Sequence, residues 1–319
     1  MHVSETGSGA PDTPVVEHGG SSQRPLDPRP VAVCGLGLMG RAVAARLLDC
    51  GVPVVVWNRH PERARDLAER GARVADSPAD LAAGAGAVIV LVDGGAAVTE
   101  VIAGAEGIAA GHPDVLVQMS TIGVDEARAI RSLLPPTVAL LDAPVLGSWA
   151  QAAAGELRIL TGGDVATVDR WRPLLTLLGD PVHVGDVPAG TAFKQVVLAA
   201  VAPMVALLGE ALALSDRLDL DRGAVLDELE RSRIGPLVKR KRRMLESGHY
   251  PPDARVDTFA KDMGLVERAG RAHGLAMTMA TAARQRADEA IAAGLGHLDY
   301  SVLYRAVARH DADGVPGCG

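Results

Sequence analysis

Residues 31–59 read VAVCGLGLMGRAVAARLLDCGVPVVVWNR, and the glycines inside this stretch decide the fold. The apolar run VAVC leads directly into Gly35-Leu36-Gly37-Leu38-Met39-Gly40 and then into an amphipathic segment that ends at Cys50. A second apolar run, VPVVVWN, follows. In such a motif the first glycine permits a tight turn, the second lets backbone approach a pyrophosphate, and the third lets helix and strand pack closely. A helix opening at this point adds free amides and the partial positive charge of its N-terminus. A strand before the motif and a helix after it make these six residues a dinucleotide-phosphate cradle.

The same alternation continues outward. Apolar runs recur as AVIVLVD (87–93), VLVQMS (115–120), VALLDAPV (138–145), LRILTGGD (157–164) and VHVG (182–185), with helical patterns between several of them. Continuous apolar strands are covered on both faces, as in parallel sheets with crossover helices. The expected class is α/β, a Rossmann-type doubly wound parallel sheet over residues 30–190. Beyond it the strand signal stops. Helices are expected at 189–218, 221–231, 236–247, 256–273, 276–293 and 299–308, forming an all-helical domain over 191–319. Residues 1–29 are rich in Gly, Ser and Pro without an apolar signal core, and read as a disordered leader.

Composition excludes several functions. The 319 residues are 48% apolar and 22% charged, with a formal charge of -7, which fits a globular chain and not a nucleic-acid binder. KRKRR at 239–243 is flanked by apolar and acidic residues and reads as a helix face. The apolar stretch 196–214 is interrupted by Pro203, Gly209 and Glu210, so a buried core helix is expected there, not a membrane span. Cys34, Cys50 and Cys318 match no disulfide framework, which suits a reducing cytoplasm, and neither cysteines nor histidines show metal spacing.

The end of the second strand bears on cofactor choice. NAD sites place a carboxylate there to bind the ribose 2′-hydroxyl, whereas this chain has Trp57-Asn58-Arg59-His60. Asn58 can bond ribose or phosphate without repulsion, and Arg59, with Arg63 one turn along, can pair with a 2′-phosphate. NADP(H) is the expected cofactor, with a solvated loop arginine as the alternative. A further signal is lysine scarcity. The chain has four lysines, Lys194, Lys239, Lys241 and Lys261, against 28 arginines. Lys194 sits in the otherwise apolar GTAFKQVVLAAVAPM (190–204), where an ammonium, unlike a guanidinium, can lose its proton. The alternative is a lysine snorkelling from a helix end.

Six motifs, GLGLMG, MSTIG (119–123), DAPVLGS (142–148), AGELRILTGGD (154–164), GTAFK (190–194) and FAKDMGL (259–265), occur in the order seen in the β-hydroxyacid dehydrogenase family. The chain resembles that family over about residues 31–308. The family includes 3-hydroxyisobutyrate and 6-phosphogluconate dehydrogenases, NADPH-using glyoxylate/succinic semialdehyde reductases and, more distantly, imine reductases. The resemblance implies a Rossmann domain followed by a helical domain, a homodimer or tetramer formed through the latter, and an active site in the cleft between them. It implies Lys194 as the catalytic lysine and Ser120 and Thr121 as a loop touching substrate and nicotinamide ribose. It further implies Gly147 and Ser148 in a substrate-carboxylate segment, Lys261 and Asp262 near nicotinamide and substrate, Phe259 lining the pocket, and Val92 on the cofactor side.

Read without the resemblance, Ser120 and Thr121 could equally be a helix N-cap and Lys261-Asp262 a helix-surface ion pair. Two departures matter for substrate. Leu146 stands where the family has serine, and Val197 and Leu198 stand where it has an asparagine. The expected function is NADPH-dependent reduction of a small carbonyl, an aldehyde or oxoacid, with Lys194 as proton donor. The departures favour a larger or less polar substrate. The alternatives are an imine reductase, although those relatives generally lack the lysine, and a non-catalytic NADP-binding protein.

Overall fold

The computed structural model describes residues 27–310; the leader expected at 1–29 lies, but for its last three residues, outside them. Nine strands form one sheet: β1 Val31–Cys34, β2 Val54–Trp57, β3 Arg73–Val74, β4 Ala87–Val90, β5 Val115–Gln118, β6 Ala139–Asp142, β7 Val145–Leu146, β8 Leu157–Gly162 and β9 Gly179–Gly185. The helices among and after them are α1 Leu38–Asp49, α2 Arg65–Glu69, α3 Pro78–Ala82, α4 Gly94–Ala103, α5 Val124–Leu133, α6 Trp149–Ala154 and α7 Val165–Leu178. Beyond β9 come α8 Ala189–Val201, α9 Pro203–Arg217, α10 Arg222–Arg231, α11 Gly235–Ser247, α12 Val256–Ala272, α13 Thr278–Ala292 and α14 Leu303–His310.

The sheet order β3-β2-β1-β4-β5-β6 is parallel throughout, and β1 is the central strand from which the chain winds both ways. The uninterrupted apolar strands divide between its two faces. Val31, Val33, Val54 and Val56 join the core under α1 and α7, while Ala32, Cys34 and Val55 join the core on the opposite face. Burial on both faces is why these strands lack an alternating polar pattern.

The parallel expectation fails at one edge. The run 138–145 breaks at Ala143-Pro144 into β6 and β7, and β8 runs antiparallel to both. Only the short α6 and two left-handed glycines, Gly147 (φ 137) and Gly155 (φ 75), connect β7 to β8. So short a connection cannot make a parallel crossover, which takes a dozen or more residues. β9 then pairs parallel with β8 after the longer α7.

The helical region closely follows its expected segments, with two corrections. The helix expected at 189–218 pauses at Ala202, and Pro203, which lacks an N–H, starts α9. Nor is that stretch a wholly buried core element: 39% of its most apolar eighteen residues is buried. One face packs on α12, α13 and α14, and the other exposes Phe193, Val196, Val201, Leu207, Leu214 and Leu218. The KRKRR cluster is not simply a solvated face either. Lys241 is 1% exposed, with its Nζ 2.8 Å from both Asp253 and Asp299 and 4.6 Å from the centre of the Tyr300 ring.

Candidate active site

The carboxyl ends of β1, β4 and β5 meet α8 and α12, and that edge collects most of the candidate residues. At β1, the three glycines do three different things. A Cβ on Gly35 (φ 98) would lie 2.3 Å from the Leu91 carbonyl oxygen, and one on Gly40 would lie 1.9 Å from that of Gly35. These two hold turn, strand and helix together. Gly37 has nothing within 4 Å of its Cβ position, so the cradle is open at this residue. Gly37 also begins α1 with no side-chain cap, and the first turn carries no acidic residue. Uncapped first-turn amides are unpaired donors, so the loop fits the pyrophosphate of a dinucleotide. Leu38 is half exposed beside this opening and Met39 partly so, whereas Leu36 is a core residue whose amide donates to Asn58 Oδ1 at 2.9 Å.

Asn58 is therefore a brace as well as a candidate ligand: its Oδ1 holds the glycine loop and its Nδ2 donates to the His60 carbonyl at 3.0 Å. Arg59 and Arg63 are exposed, and neither has an ion-pair partner among the described residues. Both guanidinium groups stand available to an anion.

At β4 and β5 the loops bind one another. Ser120 is 3% exposed; its hydroxyl accepts from the Val92 amide at 3.0 Å and donates to the Val90 carbonyl at 3.2 Å. Gln118, which the sequence did not single out, clasps the Ser120 backbone through both ends of its amide. Ser120 thus ties the end of β5 to the end of β4. The N-cap alternative for Ser120-Thr121 is not realised, because α5 begins at Gly123.

Thr121, next in the chain, accepts a hydrogen bond from Lys194 Nζ at 2.7 Å. Lys194 is buried, and burial pushes its ammonium below the usual lysine range. Asp262 pulls the other way, and Lys261 adds to the lowering. Asp262 itself is pushed above the usual carboxylate range by burial, against the pull of Lys194 and Lys261. Its Oδ1 is buried without a hydrogen-bond donor, 3.9 Å from Lys261 Nζ. Lys261, on α12, bonds to Asp93, after β4, at 2.7 Å. So Lys261 is not a helix-surface pair with its neighbour alone: it links α12 to the loop after β4. The site's charged groups are two lysines and two carboxylates, with burial favouring the neutral form of one of each.

Three implied residues are occupied differently. Ser148 caps α6, and its N–H and Oγ both contact Gln151 Oε1, at 3.0 and 3.4 Å. Gly147 adopts its left-handed φ to enter that cap. Phe259 is 6% exposed and packs in the helical core with its ring 5.9 Å from Tyr300. Leu198 leans on that same core, and Val197 and Leu146 are partly exposed. Gln195, Asp142 and Thr191 were missed; all three lie inside quoted stretches, but nothing in their spacing shows what they bond. No cluster of metal-ligating side chains exists among the described residues.

Comparison with known proteins places the chain in a family. Residues 30–185 match the NAD-binding domain of 6-phosphogluconate dehydrogenase, and residues 188–307 match the NAD-binding domain of NADP-dependent 3-hydroxyisobutyrate dehydrogenase. Glyoxylate/succinic semialdehyde reductase 1 of Arabidopsis thaliana is 30% identical over 87% of this chain and 98% of its own length. The crystal structure of 3-hydroxyisobutyrate dehydrogenase from Salmonella typhimurium superposes with a TM-score of 0.77 at 27% identity, covering 86% of this chain and 99% of that one. An imine reductase from Pseudomonas sp. shares the fold at 24% identity, TM-score 0.59, over 88% of this chain and 99% of its own. With its phosphate cradle, its buried lysine and its two matched domains, the chain belongs to the β-hydroxyacid dehydrogenase family, as a nicotinamide-dependent oxidoreductase acting at CH–OH groups.

Proposed function

We propose that the protein reduces a small carbonyl compound, an aldehyde or oxoacid, with NADPH, and that Lys194 is the proton donor. The observation that carries this reading is a buried lysine bonded to Thr121 at the carboxyl edge of the sheet, where ligands of open α/β folds bind. When bound, NADPH supplies the hydride. Lys194 then holds a proton at Nζ beside the oxygen that gains charge, stabilises that charge and gives the proton up. Its lowered affinity for the proton makes release easier than from a solvated lysine. Gly35, Leu36, Gly37, Leu38, Met39 and Gly40 form the pyrophosphate cradle, and Val92, Thr121 and Lys261 line the nicotinamide side. Asn58 and Arg59 take the adenosine ribose, with Arg59 as the 2′-phosphate partner. Asp262 and Ser120 are the groups proposed to meet the substrate, with Gly147, Ser148 and Phe259 supporting that side from the α6 cap and the helical core. The name of the Arabidopsis relative points to the same substrate class.

The second copy belongs to this reading. The exposed face of α8 and α9 carries Phe193, Val197, Ala200, Met204, Leu207, Ala211, Leu214 and Leu218, a heptad-like repeat of the kind that packs against another helix. The protein is accordingly proposed to be a homodimer through this seam.

The test is NADPH oxidation over aldehydes, 2-oxoacids and cyclic imines in parallel, with wild type and Lys194→Ala. Wild type is expected to reduce aldehydes or oxoacids, and Lys194→Ala to lose at least about a hundredfold in kcat, the scale of general acid catalysis. Reduction requires the protonated lysine, so the rate should fall as pH rises, and at a lower pH than for an ordinary lysine. Unchanged rates in Lys194→Ala would refute the lysine mechanism; turnover of imines alone would favour the imine reductase, and faster turnover with NADH the solvated-arginine alternative.

A further inference from the structure

The helix that carries Lys194 is fastened to the sheet at a point away from the lysine itself. Asp142, the last residue of β6, is 1% exposed. Its carboxylate takes two donors from the first turn of α8: the Thr191 N–H at 2.7 Å on one oxygen and the Thr191 hydroxyl at 2.6 Å on the other. Glycine makes the approach possible. A Cβ on Gly190 would lie 2.2 Å from the Asp142 carbonyl oxygen and 2.4 Å from that of Leu160, and one on Gly162 would lie 2.9 Å from the Gly190 nitrogen. The helix therefore begins flush against two strand ends, with a carboxylate at its positive end. Thr191 and Lys194 are three residues apart and share a helix face. One residue further, Gln195 Nε2 donates to the Ile122 carbonyl at 3.0 Å, on the same loop that presents Thr121.

We propose that Asp142 and Thr191 form a clasp that positions Lys194, setting the rotation and advance of α8 so that Nζ meets Thr121. This inference rests on the reading of Lys194 as proton donor. Asp142 is a positioning residue: it touches neither Lys194 nor the glycine loop. The groups that face Lys194 are Thr121 from the loop after β5 and Lys261 and Asp262 from α12, with Asp93 paired to Lys261. Loss of the clasp would act on the lysine through its place, not through the charge of Asp142.

The experiment compares full-length wild type, Thr191→Val, Thr191→Ser, Asp142→Asn and Lys194→Ala, measuring kcat, KM for NADPH, the pH dependence of kcat and the melting temperature. Thr191→Val is nearly isosteric and keeps the amide bond, so it serves even where Asp142→Asn fails to fold. Thr191→Val and any folded Asp142→Asn are expected to lower kcat about tenfold or more, because small misplacements of a reacting group are costly. KM for NADPH should stay within about twofold, since the cradle lies elsewhere. The alkaline limb of kcat should move up toward an ordinary lysine, as a displaced Nζ gains water. Thr191→Ser, which keeps both donors, should restore kcat and the limb. A clasp variant that loses melting temperature but keeps the wild-type kcat and limb would reduce Asp142 to a structural role, as would failure of Thr191→Ser to rescue. If Lys194→Ala is inactive while the clasp variants behave as wild type, only the clasp is wrong. If Lys194→Ala retains full activity, the lysine reading falls and the clasp with it.

Discussion

Lys194 and Lys241 are both buried lysines, and their surroundings differ sharply. Lys241 meets two carboxylates at 2.8 Å and the face of Tyr300, so its charge is fully partnered. Lys194 has one hydroxyl at bonding distance, and burial lowers its hold on the proton against the pull of Asp262. The scarcity of lysine drew attention to Lys194, whereas Lys241 read as part of a helix face; only their neighbours show how differently the two are held. Removing one partner of a buried ion pair costs about 3–5 kcal/mol, because the other charge is left uncompensated. Lys241→Met should therefore lower stability by about that amount in urea unfolding, with little effect on KM for NADPH in the folded fraction. Burial pushes Asp299 up, but bonds from Lys241 and Ser301 outweigh it and hold the carboxyl below its ordinary range. A carboxyl lowered on folding stabilises the protein above its unfolded pKa and loses that contribution as pH falls through the lowered value. Wild type should lose this stability in acid, and Lys241→Met should show less of that dependence.

At the scale of elements, the glycine-rich turn was legible because each glycine answers a steric demand of backbone geometry. Gly35 and Gly40 have no room for a side chain, whereas Gly37 has both room and an ordinary φ of -68°. The expected consequence is a clean separation. Gly37→Val should fold with a nearly unchanged melting temperature yet raise KM for NADPH about tenfold or more, because the added side chain fills the space that a phosphate needs. A loss of melting temperature without a change in KM would mean the loop does not hold the cofactor. The β7–β8 reversal was not legible. An apolar run looks the same in parallel and antiparallel strands, and the direction was set by how short the connection through α6 is. Ser148 shows the same limit for a single residue: the motif names it, but that it caps α6 through Gln151 is seen only in the fold.

At the scale of the whole molecule, the unpaired feature is the apolar seam along α8 and α9. Those 29 residues span about 43 Å at 1.5 Å per residue. Leu207, Leu214 and Leu218 are each more than half exposed, an apolar surface that a monomer in water does not ordinarily leave uncovered. Wild type should elute as a dimer in size-exclusion chromatography with light scattering, and Leu207→Asp with Leu214→Asp should produce monomers. A monomeric wild type would disprove the seam. Because Phe193 and Val196 flank Lys194 on the same helix, loss of the dimer is also expected to lower kcat.

The local order of residues 31–59, glycine spacing and apolar periodicity alone, determined the nucleotide-binding half, because backbone sterics and burial on two faces act within short stretches of chain. The same holds for the helical half, whose caps and prolines sit where the helices end. What only the tertiary structure decided were the bonds between distant positions: Lys194 with Thr121, Asp142 with Thr191, Lys261 with Asp93, and Lys241 with Asp299. Each joins residues separated by many tens of positions, and each depends on which elements pack together. Periodicity reports which face of an element is buried; it carries no record of what that face meets.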